Sequence, residues 1–247
     1  MVVSELGDVQ RNMLRDCMLP IYWHEKTATG QPNPVLNSGT LTIARTGTRV
    51  LGITAAHVAR GYQDDKSRMS LTLQLMEAEI DDLDIISISD RLDLATIAVP
   101  DSILQQCGKP ISPISILEQG RHEPEEGRGI MFAGYPGVVR AQVNPRLIDW
   151  GMFGAIGIAR RVTDEQITWV AERAHAVEHP TIPTLPPNTE LGGISGGPMV
   201  AWFEKHGGML SYGSLVAIVS QASADLENVI AKRVHYIRDD GTIREPS

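Results

Sequence analysis

The hydrophobic and polar positions of this chain mostly form short strand-like runs separated by turns. Leu71, Leu73 and Leu75, for example, alternate with polar residues, as expected of a half-buried strand. The first half contains six such runs, at 19–23, 39–44, 49–54, 71–75, 85–88 and 95–99. The second half contains six more, at 129–134, 154–161, 166–171, 198–202, 215–220 and 229–232. The pattern therefore predicts an all-β protein with little helix.

The amino-terminal stretch 5–17 has a different pattern. Its hydrophobic residues Leu6, Val9, Met13 and Leu14 recur at roughly helical spacing. This spacing predicts an amino-terminal helix that lies outside the β-sheets.

Composition and charge limit the partners and the cellular location that we expect for this protein. The chain has 247 residues and a formal net charge of −8, which argues against nucleic-acid partners because phosphates select basic surfaces. No apolar stretch approaches the roughly 20 residues needed to cross a bilayer, so we expect no membrane association. The first residues lack the basic start and apolar run of a secretory signal. With only Cys17 and Cys107, both expected to be packing residues, this favours a reducing, cytoplasmic location.

Two clusters of acidic residues raise the question of a metal site. Hard cations such as Ca²⁺ bind several carboxylate oxygens, but neither cluster has the glycine-spaced loop of a recognised calcium motif. We therefore expect solvated loops and no metal. The clusters consist of Glu77, Glu79, Asp81, Asp82 and Asp84, and of Glu123, Glu125 and Glu126.

The segment from Leu191 to Pro198 carries the clearest chemical signal, because four of its residues are glycines that surround Ser195. Glycines allow a backbone bend that turns amides inward and leaves the serine hydroxyl accessible. The amides of Gly193 and Ser195 are candidates for an oxyanion hole, which stabilises the charge that develops when a serine attacks a carbonyl. A glycine-rich turn without chemistry is the alternative.

A serine nucleophile needs a base and a group that orients the base. His57 follows the apolar run 50–53, although a single histidine in this position is more often structural. Asp93 stands at the start of the run 95–99, where a single aspartate is usually a solvated turn residue. The combination of the three residues is more informative than each alone.

The motifs Thr54-Ala55-Ala56-His57, Asp93-Leu94-Ala95 and Gly193-Ile194-Ser195-Gly196-Gly197-Pro198 occur in the order histidine, aspartate, serine. In this order they resemble the motifs of trypsin-like (chymotrypsin-fold) serine peptidases, whereas subtilisin-like enzymes and α/β-hydrolases have other orders. The segment 132–137 is similar to a strand and turn of many bacterial members. Val58 stands where many extracellular members have a cysteine. The resemblance is therefore to a bacterial-type member without disulfides.

The resemblance covers residues 19–238 and implies a fold. That fold has two six-stranded antiparallel β-barrels with the active site in the cleft between them, plus short terminal helices, one of them at 234–238. The chain would then divide into an amino-terminal helical extension at 1–18, a first barrel at 19–110 and a second barrel at 111–247. The second unit would include part of the crossover segment 101–124. His57 and Asp93 belong to the first barrel and Ser195 to the second.

The resemblance also implies a mechanism. A serine endopeptidase of this type would use His57 as the base for Ser195, Asp93 to orient His57, and the amides of Gly193 and Ser195 as the oxyanion hole. Its substrate would be a protein or peptide that pairs with the strand at 214–220. Neither a metal nor an organic cofactor is required.

The resemblance assigns the substrate-specificity pocket by register with Ser195. Thr189 would lie at the base of the pocket with Glu190 beside it, and Ser220, Gln221 and Ala222 would form a wall. Thr189 favours a neutral or small polar substrate side chain, whereas Glu190, if turned into the pocket, favours lysine or arginine. Both preferences stay open.

The chain departs from the family pattern at Ile194. Relatives activated by cleavage carry an aspartate there, which pairs with a new amino terminus. The segment 191–198, called the oxyanion loop below, would therefore either form constitutively or be ordered by the amino-terminal helix or a regulatory protein partner. Two alternatives to a trypsin-like enzyme also remain: a catalytically inactive double barrel that acts as a binding or scaffolding module, and an esterase of another fold.

Overall fold

We describe the protein from a computed structural model, in which residues 2–26, 35–116, 123–144, 147–170, 189–204, 211–223 and 228–246 are described. The helices are α1 (Val2–Asp16), α2 (Ala56–Arg68) and α3 (Asp101–Leu104). The strands of the first half are β1 (Met18–Glu25), β2 (Asn37–Arg45), β3 (Val50–Thr54), β4 (Leu71–Leu75), β5 (Ala78–Ile80), β6 (Ile85–Ser89), β7 (Leu94–Ile97) and β8 (Ile114–Ser115). The strands of the second half are β9 (Gly129–Gly134), β10 (Arg140–Asn144), β11 (Leu147–Trp150), β12 (Phe153–Val162), β13 (Gln166–Val170), β14 (Pro198–Glu204), β15 (Ser211–Ala222) and β16 (Asn228–Arg233).

The first half forms an eight-stranded sheet in the order β5-β4-β1-β2-β3-β7-β6, with β8 beside β2. Neighbours in this order are antiparallel, and β8 pairs with β2 in parallel. One face buries Leu19, Ile21, Leu41 and Ile43. Helix α2 covers this core with its buried Val58 and Tyr62 side chains, so the helix that carries His57 is anchored by hydrophobic packing.

The second half forms a closed barrel of six antiparallel strands in the order β12-β13-β16-β15-β14-β9. Its interior contains Phe132, Ile167, Met199 and Val219, all with no exposed surface. Trp169 packs edge-on against Phe132, with ring centroids 5.1 Å apart. The barrel is thus a fully packed support for the loop that carries Ser195.

A third hydrophobic cluster joins the two halves. It combines Leu51 and Leu94 of the first sheet with Leu215 and Ile218 of the second barrel. Tyr22 and Trp150 meet across the same junction, with ring centroids 5.1 Å apart. Burial of this apolar surface stabilises the packing of the two halves against each other. The candidate site lies between the halves and depends on this packing.

Helix α1 packs on this junction through the buried Leu14. The ammonium of Lys109 donates hydrogen bonds to the carbonyls of Arg15 and Met18, where the helix ends, and to the hydroxyl of Tyr135 at 3.1 Å. Among the described residues, no helix is both long and apolar enough to cross a membrane. Cys17 and Cys107 are buried and free.

The predicted all-β class is confirmed, and all twelve predicted strands coincide with observed strands. The first half was predicted as a six-stranded antiparallel barrel, but its described residues form an eight-stranded sheet with a parallel β2–β8 pair, and the closed barrel is in the second half. The short β5 and β8 carry too few residues to show a period. The predicted terminal helix at 234–238 is a 3-10 turn, Val234–Tyr236. Helix α2 was not predicted, because the strand-like run before it gave no sign of a 13-residue helix immediately after.

Candidate active site

His57 lies in the first turn of α2, immediately after β3 ends at Thr54. The helix buries Ala56, Val58 and Ala59 against the sheet. His57 is therefore left on the outer side of this turn, and its side chain is 53% exposed. The small residues before His57 let the helix begin close to the sheet, which places the imidazole at the junction of the two halves.

Asp93 immediately precedes β7 and has a positive φ of 47°. Aspartate tolerates this left-handed conformation better than most residues. Its neighbours Leu92 and Leu94 are fully buried and fix the turn. Asp93 accepts hydrogen bonds from the backbone N–H of His57 at 3.0 Å and faces His57 Nδ1 at 3.0 Å from Oδ2. The first two predicted residues are thus in direct contact.

The loop that carries Ser195 is fixed by the first half of the molecule. Thr40 Oγ1 donates a hydrogen bond to the carbonyl of Gly193 at 2.8 Å, and the backbone N–H of Thr40 donates to the carbonyl of Ser195 at 2.8 Å. Gly196 has a φ of +94°, and a Cβ at this position would lie 1.8 Å from the carbonyl oxygen of Thr40. Only glycine fits there.

The backbone amides of Gly193 and Ser195 have no acceptor among the described residues. The carbonyl of Gly192 accepts from the N–H of Gly137 at 2.7 Å, and the carbonyl of Ile194 accepts from the N–H of Gly197 at 3.0 Å. Because both peptide bonds are trans, the next N–H in each case points the opposite way from the bonded carbonyl. Two oriented, unpaired donors are what an oxyanion hole requires.

Ser195 is connected to the other two residues through Ser220. Ser195 Oγ donates to the carbonyl of Ser220 at 3.0 Å, and Ser220 Oγ donates to Asp93 Oδ2 at 2.5 Å. Ser220 thus contacts both sides of the site, Ser195 through its backbone carbonyl and Asp93 through its hydroxyl, and Asp93 contacts His57. Within the described part of the chain, no hydrogen bond links Ser195 Oγ directly to His57. Transfer of the serine proton to His57 requires rotation of the hydroxyl away from Ser220.

The environment of Asp93 favours its charged form. Burial by itself raises the pKa of the carboxyl group, but the hydrogen bonds from the His57 side chain, the Ser220 hydroxyl and the His57 backbone together lower the pKa below its ordinary value. Asp93 is therefore a carboxylate at neutral pH. A carboxylate at His57 Nδ1 leaves Nε2 as the nitrogen that accepts a proton.

The residues predicted for the substrate pocket lie in mixed environments. Thr189 is buried, Glu190 and Gln221 are exposed, and Ala222 is half-buried. The buried Ser220 directs its hydroxyl to Asp93. The segment 171–188, which precedes Thr189, lies outside the described residues.

Ile194 anchors the loop that carries Ser195 by apolar packing. Its side chain is 1% exposed, and its Cγ1 lies 2.7 Å from the position that a Cβ on Gly134 would occupy. Gly134 therefore leaves the space into which Ile194 packs. The oxyanion loop is held in place by this hydrophobic contact and by Thr40.

The sequence analysis does not identify two residues that hold other site residues in place, Thr40 and Ser220. Thr40 is one of several small polar residues of β2, and nothing in its local pattern distinguishes it from Thr42. The hydroxyl of Ser220 was assigned to a pocket wall, and its contact with Asp93 depends on the pairing of the two halves.

Among the described residues, no group of three or more histidine, cysteine, aspartate or glutamate side chains is placed to hold a metal ion. Asp82, from the first acidic cluster, instead accepts a hydrogen bond from Tyr62 at 2.9 Å and pairs with Lys66. These contacts give part of that cluster a structural role.

The closed barrel of the second half and the eight-stranded sheet of the first half fit a trypsin-like double-barrel fold. The chain is similar in structure to Deg5, with a TM-score of 0.53 and 12% identity over 96% of this chain and 98% of that one. It is also similar to the Rv3671c protease of M. tuberculosis in its active form, with a TM-score of 0.50 and 15% identity over 90% of this chain and 78% of that one. No protein-family model matches the sequence, and no curated protein sequence is significantly similar to it.

Proposed function

We propose that this protein is a serine endopeptidase that hydrolyses peptide bonds through an acyl-enzyme intermediate. The observation that carries the proposal is the combination of the Ser195–Ser220–Asp93–His57 network with the two unpaired amides beside Ser195. A nucleophile, a base held by a carboxylate and two free amide donors are the three parts that the proposed reaction needs. The double-barrel fold and its similarity to a solved protease are consistent with this assignment.

In the first step, the hydroxyl of Ser195 rotates from the Ser220 carbonyl to His57 Nε2. Ser195 Oγ then forms a bond to the scissile carbonyl carbon while its proton passes to Nε2. The negative charge of Asp93 stabilises the imidazolium that results. The amides of Gly193 and Ser195 donate to the carbonyl oxygen as it becomes an oxyanion.

Collapse of this intermediate breaks the C–N bond. The proton on His57 Nε2 moves to the leaving amine, and the acyl group stays on Ser195. Water then enters, gives a proton to His57 and attacks the ester carbon. The acid product leaves with Ser195 Oγ protonated again, so the enzyme is regenerated without a redox step.

The substrate backbone has a strand edge on which to lie. Pairing between β14 and β15 ends at Pro198 and Ile218. Beyond that point, residues 220–222 have no strand on this side among the described residues. An extended peptide added here would place its acyl half beside Ser195, by the β-strand addition that many peptide-binding proteins use. Exposed Gln221 and half-buried Ala222 would contact the substrate.

A peptide library with every residue type on both sides of a central bond tests the proposal. We expect the wild-type protein to cleave a subset of the library and Ser195→Ala to cleave none. Ser214→Ala is the matched control, because Ser214 is a buried serine of β15 outside the network. Equal cleavage by Ser195→Ala would contradict the assignment. Tight binding of peptides without cleavage would favour the scaffolding alternative.

A further inference from the structure

Arg140 is a charged residue that the proposed chemistry does not use. It stands at the start of β10, directly after the 3-10 turn Gly137–Val139, and is half-buried. Its Nη1 lies 3.5 Å from the position that a Cβ on Gly137 would occupy. The carbonyl oxygen of Gly192 lies 3.5 Å and Ser38 Oγ 3.8 Å from the same position. The guanidinium is thus at the border of the oxyanion loop.

No carboxylate of the described residues pairs with Arg140, and no hydrogen bond from its guanidinium to them is formed. Other arginines of the protein are paired, as in Arg60–Asp90, Arg91–Glu165 and Arg233–Glu123. Burial lowers the pKa of Arg140 from its ordinary value, but a guanidinium remains charged at neutral pH. A half-buried guanidinium without a carboxylate partner among the described residues is available to pair with a carboxylate of a ligand.

The position of Arg140 relative to the loop that carries Ser195 indicates which part of a substrate would contact its guanidinium. The oxyanion loop is held between two walls. One wall is β15, where Ser220 and Val219 accept hydrogen bonds from Ser195 Oγ and from the Gly196 amide. The other wall is β2 with the Gly137 turn. There Thr40 bonds the carbonyls of Gly193 and Ser195, and Ser38 Oγ lies 3.0 Å from the position of a Cβ on Gly193.

A substrate whose acyl half lies along β15 must leave Ser195 on the opposite side. Its leaving-group half therefore passes over the wall that contains Ser38 and Gly137, toward Arg140. An extended chain advances about 3.3 Å per residue. Arg140 Nη1 and the carbonyl oxygen of Gly192 each lie 3.5 Å from the Gly137 Cβ position, so they are separated by no more than about two residues of an extended chain.

We propose that Arg140 is a specificity-determining residue that binds an acidic side chain on the leaving-group side of the scissile bond. This inference rests on the proposed peptidase function. A guanidinium matches a carboxylate in shape and charge, and a bidentate pair is stronger than a neutral hydrogen bond. The protein carries 30 acidic residues and a net charge of −8. The protein as a whole therefore repels acidic molecules. We expect Arg140 to recognise one acidic residue at a fixed position of the substrate, not a substrate that is acidic throughout.

Paired peptide substrates test this inference. The two members of each pair share an acyl half and differ only by Glu or Gln at one of the first three positions after the scissile bond. Each rate is divided by the rate on an aminocoumarin amide of the same acyl half, which removes any general change in activity. We expect the wild-type protein to prefer Glu by about tenfold in kcat/KM at one of these positions, as a charge-assisted hydrogen bond allows.

Three variants separate Arg140 from other effects. Arg140→Gln should abolish the preference, and Arg140→Glu should replace it with a preference for lysine at the same position. Arg128→Gln is the matched control, because Arg128 is an exposed arginine paired with Glu125 and should retain the Glu preference. An equal Glu to Gln ratio in wild type and Arg140→Gln would overturn the inference.

A binding measurement separates this inference from the proposed function. Affinities of the same Glu and Gln peptides are measured on Ser195→Ala, with and without Arg140→Gln. If the wild-type protein cleaves no peptide, the proposed function fails. Tighter binding of the Glu peptide that depends on Arg140 would still support the acidic-residue site. Equal binding of the two peptides would overturn it.

Discussion

Thr40 Oγ1 donates a hydrogen bond of 2.8 Å to the carbonyl of Gly193, across 153 positions of the sequence. The same hydroxyl oxygen accepts the backbone N–H of Tyr135 at 2.9 Å. One side chain of the first sheet thus fixes both the oxyanion loop and the strand end behind it. The conformation of the candidate site therefore depends on contacts between the halves as much as on the glycines of the loop.

Replacement of the Thr40 hydroxyl should lower both kcat and the free energy of unfolding, and the loss of kcat should exceed that of a control threonine with a similar loss of stability. Thr40→Val keeps the shape but leaves the Gly193 carbonyl and Tyr135 amide unpaired, at a cost of about 1–3 kcal/mol for each buried group. We expect kcat on a peptide substrate to fall by at least about tenfold, because the loop loses its fixed position. Kinetics and urea unfolding measure the two effects.

Thr96→Val is the matched control for this substitution. Thr96 is a fully buried threonine whose hydroxyl donates to the carbonyl of Gly241 at 2.6 Å, away from the Ser195 loop. We expect a similar loss of stability with kcat retained. Equal kcat values for the two variants would show that Thr40 does not position the loop.

The charge of Asp93 should matter more than its shape. Asp93→Asn retains the size of the side chain but removes the negative charge and adds an NH2 donor, so the proton is no longer held on His57 Nδ1. We expect kcat to fall by about 10⁴-fold while the protein remains folded. Asp90→Asn, three residues away in an exposed pair with Arg60, should retain full activity. Comparable activity of Asp93→Asn and wild type would exclude a triad mechanism.

The hydrogen bond from Ser220 to Asp93 should appear in the pH dependence of stability. The lowered pKa of Asp93 means that its stabilising contribution is present above the unfolded value of about 3.9 and is lost as the pH falls through the folded value. Ser220→Ala should lower the free energy of unfolding by about 1.5–3 kcal/mol at pH 7. The difference from wild type should narrow in acid.

Urea unfolding at several pH values, repeated in the Asp93→Asn background, measures this coupling. If Ser220 acts on the carboxylate, its substitution costs less when residue 93 is Asn, and the pH dependence disappears. A constant cost in both backgrounds would show that Ser220 acts only through packing.

The apolar anchor of the oxyanion loop should not accept the aspartate of cleavage-activated relatives. Ile194 is 1% exposed and packs beside Gly134. Ile194→Asp places a charge in an almost fully buried apolar position, and we expect a loss of at least about 3 kcal/mol of stability. Ile194→Val should cost about 0.5–1.5 kcal/mol. A stable, active Ile194→Asp protein would show that the loop is held in another way.

The sequence was sufficient for those parts of the site that local chemistry dictates. Gly196 must be glycine because of its φ and its contact with Thr40, and this requirement is visible as a motif. His57 and Asp93 stand at the edges of strands whose apolar patterns are clear. The structure places Asp93 against His57, and Ser220 bonds both Asp93 and Ser195; the catalytic roles of the three residues stay a prediction.

The remaining parts depend on long-range pairing. The contact of Ser220 with Asp93 joins positions 127 residues apart, and a strand serine carries no local sign of its partner. The sequence does not indicate helix α2, because its buried positions are few, at Ala56, Val58, Ala59 and Tyr62, and its remaining face is polar. Arg140 was not identified because its significance lies in the absence of a described partner, which only the packed structure reveals.

The most direct test of the central claim is labelling with a fluorophosphonate, which reacts with an activated serine hydroxyl. Mass spectrometry of the labelled wild-type protein should place the adduct on Ser195, with labelling strongly reduced in Asp93→Asn and absent in Ser195→Ala. Unlabelled Ser195 in a folded wild-type protein, or a label on another serine, would contradict the account.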